Sequence, residues 1–271
     1  MIQLKVILKP NSFTAVLNYA LRDPVLHAFT IHDIRNEPDV TDVIACIMDD
    51  GVIGYALAYL GLLKSGARTR IAAILYTDNI DVVPELVKWL CSKYREHEIL
   101  LSAPYYLRDV IQSNVAVESV TPFYIMKLEK GREKLILDVE YRKLRPEEID
   151  ELISRHPGDE FIRSRAPLLK KSRYTYGIVV DDRVVGVGTA YVAEPEIWLI
   201  GSIWVAPEYR GRGLGKRITS VMVKVALEHT STVALWVEKG NERAIRAYRS
   251  VGFEIIDEWA WYGIREGRVL H

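Results

Sequence analysis

The chain has 271 residues, 49% of them hydrophobic and 27% charged, with 36 basic against 36 acidic side chains and a formal net charge of zero. That length suits two domains and that composition is ordinary for a soluble globular protein, so disordered, collagenous and disulfide-stapled classes are excluded. The charge balance argues against a nucleic-acid or anionic-membrane partner, and the longest uncharged stretch, 51–63, is too short to span a bilayer, so the expected location is cytoplasmic.

The N-terminus alternates Ile2, Leu4, Val6 and Leu8 with polar residues, which predicts a strand and not a signal peptide. Residues 47–59 read as a strand, an Asp49-Asp50 hairpin turn and a second strand. Cys46 and Cys91 form no CxxC pair and the six histidines show no ligand spacing, so buried thiols are expected and no metal site. A strand over 71–77 leads into Asp78-Asn79-Ile80-Asp81, which has two carboxylates and no glycine. A helix, a strand over 98–102 and a strand over 122–128 follow. The charged run Glu129–Lys134 is the predicted domain boundary, giving 1–130 and 131–271.

The second half opens with a predicted strand, Leu135–Lys143. A helix follows, with Pro146 in its first turn and Glu147 and Glu148 suited to its dipole. Residues 156–173 are charged and mixed and are expected to be irregular. A second strand–Asp-Asp–strand unit then appears at 179–191, with Asp181-Asp182 matching Asp49-Asp50, Gly186 matching Gly54 and Ala190-Tyr191 matching Ala58-Tyr59. The strands and helices after it keep the order of the first half, so the chain reads as a tandem of two similar halves. The tryptophans at 198, 204, 236, 259 and 261 all lie in strand-like runs and are expected to pack.

Residues 203–218 hold the most informative stretch. The apolar run Ile203-Trp204-Val205 stops at Pro207, and Gly211, Gly213 and Gly215 follow at two-residue spacing. Leu214, Ile218, Val221, Met222 and Val225 then mark one face of a helix. A helix start leaves backbone N–H groups unpaired at the positive end of its dipole, and glycines let that backbone lie close to a ligand. The stretch therefore predicts an anion cradle, with Arg210, Arg212, Lys216 and Arg217 adding positive charge. It is neither Gly-x-Gly-x-x-Gly nor a Walker loop. Downstream, Thr232–Val237 reads as a strand. Asn241 then caps a helix through Ala244, Ile245, Tyr248 and Val251 that ends at Gly252-Phe253.

Arg210, Gly213 and Gly215, together with the later strand, Asn, helical Tyr and Gly-Phe, resemble the two motifs of the GNAT N-acetyltransferase superfamily. The resemblance implies an α+β fold of two GNAT-like domains, each a mixed, mostly antiparallel sheet flanked by helices. It implies acetyl-CoA as co-substrate, with Gly211–Lys216 on its pyrophosphate, Ile203, Trp204 and Val205 beside the pantetheine arm, and Asn241 in contact with CoA. The first half lacks the cradle and is expected to be a degenerate copy. Its expected roles are shaping the substrate cleft or providing a homodimer surface.

Acyl transfer to an amine needs a deprotonated nitrogen, a donor for the tetrahedral oxyanion and a proton for the leaving thiolate. By resemblance Tyr248 is the acid; a phenol of pKa about 10 is protonated at neutral pH. Packing against the sheet is the alternative role of its ring. Many members carry a base Glu in the strand before the loop, but Trp198–Ser202 holds no carboxylate. Glu196, just before that strand, is the candidate base acting through a water, or else a solvated loop residue. Glu160 and Glu238 are weaker candidates. The expected activity is acetyl transfer to a primary amine of a small molecule or protein. A non-catalytic acyl-CoA sensor or scaffold, and acylation of an amino acid such as glycine, stay open.

Overall fold

The computed structural model describes residues 7–49, 51–61 and 70–269. Ile2, Leu4, Val6 and Asp50 lie outside them. The chain forms two compact units, Met1–Tyr124 with Asp257–His271, and Ile125–Ile256. Each is a mixed, mostly antiparallel sheet with helices packed on it, an α+β fold of the GNAT type. Among the described residues no helix is long and apolar enough to cross a membrane.

The first unit holds strands β1 (Ile7–Pro10), β2 (Thr41–Met48), β3 (Gly51–Tyr59), β4 (Arg70–Thr77) and β5 (Glu98–Pro104). Its helices are α1 (Phe13–Ala20), α2 (Ala28–Asn36), α3 (Val83–Lys93) and α4 (Arg108–Asn114). The chain leaves this unit within β6 (Val115–Glu129) and returns to it within its last strand, β12 (Glu254–Val269). Neighbours pair antiparallel except β4 and β5, which run parallel from Arg70↔Glu98 to Ile74↔Ser102. Leu86, Val87 and Leu90 of α3 pack on Ile71, Leu75 and Leu101 to form the core.

The second unit holds β7 (Glu140–Lys143), α5 (Pro146–Arg155), α6 (Glu160–Lys171), β8 (Thr175–Val180), β9 (Arg183–Ala193), β10 (Trp198–Val205), α7 (Leu214–Leu227), β11 (Thr232–Glu238) and α8 (Glu242–Val251). Its strands run in the order β6-β11-β10-β9-β8-β7. The β8–β9 hairpin closes at Val180↔Arg183 with Asp181 at φ 48 and Asp182 at φ 60, both left-handed as a two-residue turn of this kind demands. The predicted face of α7 is buried at Leu214, Ile218, Val221, Met222 and Val225. A Cβ on Gly188 of β9 would lie 2.8 Å from Ile203 and 2.9 Å from Met222, so the bare glycine is what lets α7 seat on the sheet.

The units divide differently from the sequence reading at 130/131. The first closes at Tyr124 and takes back residues from 257 onward, because Trp259–Ile264 pair antiparallel with Pro104–Ile99 and cover the edge of β5. Two local expectations also change. Within Leu135–Lys143 only Glu140–Lys143 is a strand, while Ile136 donates its N–H to Ser220 and Asp138 pairs with Arg217, fastening the stretch along α7. Residues 160–171, expected to be irregular, form α6, capped by Asp159 through the Ile162 N–H at 3.2 Å and tolerant of Pro167 inside it.

Filling the Gly188 position tests the packing. Gly188→Val is expected to lower stability by about 1–3 kcal/mol through overpacking, read as a lower denaturation midpoint at unchanged slope. Glu148, almost buried, gives a pH test. Burial works to raise its pKa but is outweighed by the Arg145 N–H at 2.9 Å and by Arg142 and Arg145, so it ends lowered. Its contribution is therefore complete above the unfolded carboxylate pKa and lost as pH falls through the folded one. Glu148→Gln is expected to flatten the acid limb of the stability curve between about pH 5 and pH 2, measured by denaturant titration across that range.

Candidate active site

The site begins with a defect in β10. Its pairing with β9 shifts register between Leu199 and Ile200 and again between Gly201 and Trp204, and Ser202 between them sits at φ 49. A bulge of this kind bends the strand that carries it. The parallel pairing of β10 with β11 covers Trp198↔Val233 and Leu199↔Ala234, and β10 then turns aside. The corresponding β4–β5 pair stays zipped for longer, and no residue of β4 has a positive φ. Past Leu199 the β11-facing backbone of Ile203–Val205 has no strand partner among the described residues; in the first unit β4 likewise runs on to Thr77 after its last β5 pair, Ile74↔Ser102.

That freed edge runs into the glycine loop. After a single 3-10 turn at Pro207–Tyr209, Gly211 takes φ +82 and Gly213 φ +76, and Gly213 caps α7. Side chains at these angles are strained, so glycine is required at both. Nothing lies within 4 Å of where a Cβ on Gly211 or Gly215 would sit. Among the described residues, the N–H groups of Gly211, Arg212, Gly213, Leu214 and Gly215 meet no acceptor, and the first helical bonds return from Lys216 and Arg217 to the Gly213 carbonyl.

The four cations of this stretch divide by role. Arg210 donates from Nε to the Val205 carbonyl at 2.9 Å and pairs with Asp159 at 3.3 Å, tying the loop back to the end of β10. Arg217 makes two 2.8 Å bonds to Asp138. Arg212 lies over the Tyr209 ring at 5.2 Å, and Lys216 is half-buried with no ion pair among the described residues. Two cations therefore brace the loop and two remain beside it.

Asp159 is the brace's centre. It caps α6, accepts from Trp204 Nε1 at 2.9 Å and receives Arg210. Burial pulls its pKa up, but these donors win and hold it below the usual carboxylate range. Trp204 is thereby fixed in the core, while Ile203 and Val205 pack toward α7.

Tyr248 lies half-buried on α8, its ring 6.2 Å from Phe253, and burial, then the neighbouring Tyr191, push its pKa up to about 12. Tyr191 bonds Ser202 Oγ through its hydroxyl at 2.7 Å. Its ring occupies the space of a Gly201 Cβ, 2.1 Å from where that atom would stand. Asn241 caps α8, accepting the Ala244 N–H at 3.2 Å. Glu196 is not among this group: it sits in the β9–β10 turn, closed by reciprocal bonds between Glu194 and Ile197 at 3.0 and 3.2 Å. Ser202 is six residues further on, about 20 Å along an extended strand. Glu160 opens α6 and Glu238 ends β11, both exposed. Sequence reasoning missed Tyr191, Ser202 and Asp159. Gly201 inside an apolar run was the readable sign of a bulge.

The Acetyltransferase (GNAT) family model matches residues 139–253. Mycothiol acetyltransferase of Tsukamurella paurometabola is 40% identical over 77 residues, 27% of this chain and 26% of that protein. Thialysine N-epsilon-acetyltransferase of Bos taurus is 34% identical over 95 residues, 32% of this chain and 55% of that one. The chain thus matches only part of the length of these curated relatives. A solved tandem GNAT protein from the clavulanic acid biosynthesis pathway shares the fold, with a TM-score of 0.62 at 16% identity over 97% of this chain and 99% of that chain. On the family match, and with relatives named as acetyltransferases, the segment 139–253 belongs to the GNAT acetyltransferase family.

Proposed function

We propose that the second unit is a CoA-dependent N-acyltransferase that moves an acetyl (or other short acyl) group from acetyl-CoA to a primary amine. The observation that carries this reading is the run of unpaired N–H groups from Gly211 to Gly215 at the start of α7, directly after a strand whose ladder has come open. A diphosphate suits such a cradle, since its oxygens accept from several N–H groups at the positive end of a helix. Lys216 and Arg212 are the charges left to neutralise it. Ile203, Trp204 and Val205 offer unpaired backbone to the pantetheine arm, and one of their N–H groups serves as donor to the tetrahedral oxyanion. Asn241 keeps its Nδ2 for CoA while its Oδ1 caps α8.

Tyr248 supplies the proton that the departing thiolate needs. Held near 12, it is fully protonated at neutral pH. The thiolate of a thiol with pKa about 8.5 is a weaker base than this phenolate, so the transfer is completed only when another proton replaces the one Tyr248 gives. A relative named for acetylation of an ε-nitrogen supports an amine as acceptor. The first unit is read as a degenerate copy that does not hold CoA. Its β4 runs into Asp78 and Asn79 without a glycine, and the Asn79 side chain takes the Asp81 N–H at 3.0 Å. The remaining role for that unit is to shape the cleft or to pair with a second copy. The placement of Glu196 in a turn favours one competing reading, a non-catalytic acyl-CoA sensor, and the two diverge on turnover.

Calorimetric titration of acetyl-CoA into the full chain is expected to show saturable binding, with at least about a tenfold loss in Gly213→Glu from strain and added negative charge. A matching thermal transition for the variant excludes unfolding as the cause, and no binding by the wild type overturns the assignment. Tyr248→Phe is expected to keep acetyl-CoA affinity and to lose about 100-fold in kcat, followed by release of CoA thiol. Unchanged turnover removes Tyr248 as the acid, and binding without turnover on any amine favours the sensor.

A further inference from the structure

The link between α5 and α6 meets the start of the glycine loop at a second point besides Asp159. His156 ends α5, its backbone N–H returning to the Leu152 and Ile153 carbonyls. Its ring lies 5.1 Å from that of Trp204, edge to face, and its side chain is only 11% exposed. Buried there, its Nε2 has no hydrogen-bond partner among the described residues. Glu208 Oε1 stands 3.9 Å away, too far for a hydrogen bond and close enough for an ion pair once the ring is charged. The other charged groups on the surrounding elements are engaged elsewhere or turned to solvent. Glu151 and Arg155 of α5 face each other at 3.7 Å, and Arg155 also reaches the Val184 carbonyl at 3.3 Å. Asp159 holds Trp204 and Arg210, Arg163 donates to the Pro157 carbonyl at 3.3 Å, and Glu160 is exposed.

Glu208 belongs to the 3-10 turn Pro207–Tyr209, three residues before Gly211. At about 3.8 Å per residue, its Cα is at most about 11 Å from that of Gly211. Its charge therefore bears on an anion held by the N–H groups of Gly211–Gly215. With the imidazole neutral, Nε2 is a buried polar atom left unsatisfied and Glu208 opposes such an anion. With the imidazole protonated, Nε2–H and the carboxylate pair, and a net charge of minus one beside the cradle becomes zero.

We propose that His156 is a positioning residue for the diphosphate site, one that takes up a proton and pairs with Glu208 as a diphosphate enters the Gly211–Gly215 cradle. This rests on the CoA-binding reading above. The proton comes from solvent, and no bond of the ligand is made or broken. The sign follows from linkage. If the protonated protein holds the diphosphate better, the diphosphate draws the proton in by the same factor, so binding tightens as pH falls through the imidazole range.

The test uses the full chain and dephospho-CoA, which keeps the diphosphate and lacks the phosphate monoester that titrates in the same range. Calorimetric titration is expected to show affinity about threefold higher at about pH 5.5 than at about pH 8, the size suited to a partly exposed pair. Repeated at about pH 6.5 in buffers of different ionisation enthalpy, it is expected to show net uptake of about a quarter of a proton per ligand bound. His156→Gln is expected to abolish both effects. Glu208→Gln is expected to bind more tightly than the wild type at about pH 8, where the carboxylate is unpaired, and to take up less proton. A readout without ligand is the denaturation midpoint of the two single variants and the double variant, expected to be non-additive at about pH 5.5 and additive at about pH 8. Affinity independent of pH in the wild type, proton uptake that survives in His156→Gln, or midpoints that add at both pH values overturns the linkage while the cradle stands. A wild type that binds neither dephospho-CoA nor acetyl-CoA overturns the cradle reading, and the linkage with it.

Discussion

A parallel strand pair that comes apart after two residues is the constraint on which the second unit depends. Backbone N–H and C=O groups inside a sheet are spoken for by the neighbouring strand, so a ligand can use them only where the ladder opens. The bulge at Ser202 opens it. The same two steps, parallel pair and following helix, occur in the first unit with β4 and β5, but there the ladder runs five pairs to Ile74↔Ser102 without a bulge in β4, and Asn79 caps a 3-10 turn that leads into the helix. One architecture thus yields a short, bulged ladder in one copy and a longer, regular one in the other, and the difference lies in a few backbone angles.

The electrostatics of the loop follow the same economy. A cluster of four cations looks in sequence like a field built for a diphosphate. In the fold, Arg210 and Arg217 are committed to Asp159 and Asp138, and their work is to hold the loop against the end of β10 and against the segment along α7. Beyond Arg212 and Lys216, the positive charge that the loop leaves uncommitted is that of oriented N–H groups, which are fixed in direction and carry no side-chain entropy. Asp159, with its indole and guanidinium partners, ties helix, strand and loop into one rigid piece.

What could be read from the chain was what local chemistry decides. Asn241 at the start and Gly252 at the end of α8, Asp181-Asp182 in a tight turn and the buried stripe of α7 are each set by a few neighbouring residues, and each was legible. The glycine loop was legible for the same reason. The helix α6 was not, because charges and Pro167 mask its period and its stability comes from Asp159 reaching a strand far along the chain. Tyr191 and Ser202 escaped notice because their meeting depends on register, and a register shift leaves almost no trace in sequence beyond a glycine. The return of β12 to the first unit is likewise a matter of long-range pairing.

That return also sets a timetable. The second unit is continuous from Ile125 to Ile256, while the first needs residues from 257 onward. A growing chain therefore carries the first unit with the β5 edge bare until residues past 257 have emerged, although all its other strands emerged long before. The half made last can close first. The half made first waits, with an unpaired strand edge of the sort that invites wrong partners. A chain shortened just before Trp259 would keep every residue from Arg210 to Tyr248 and lose the strand that pairs with β5.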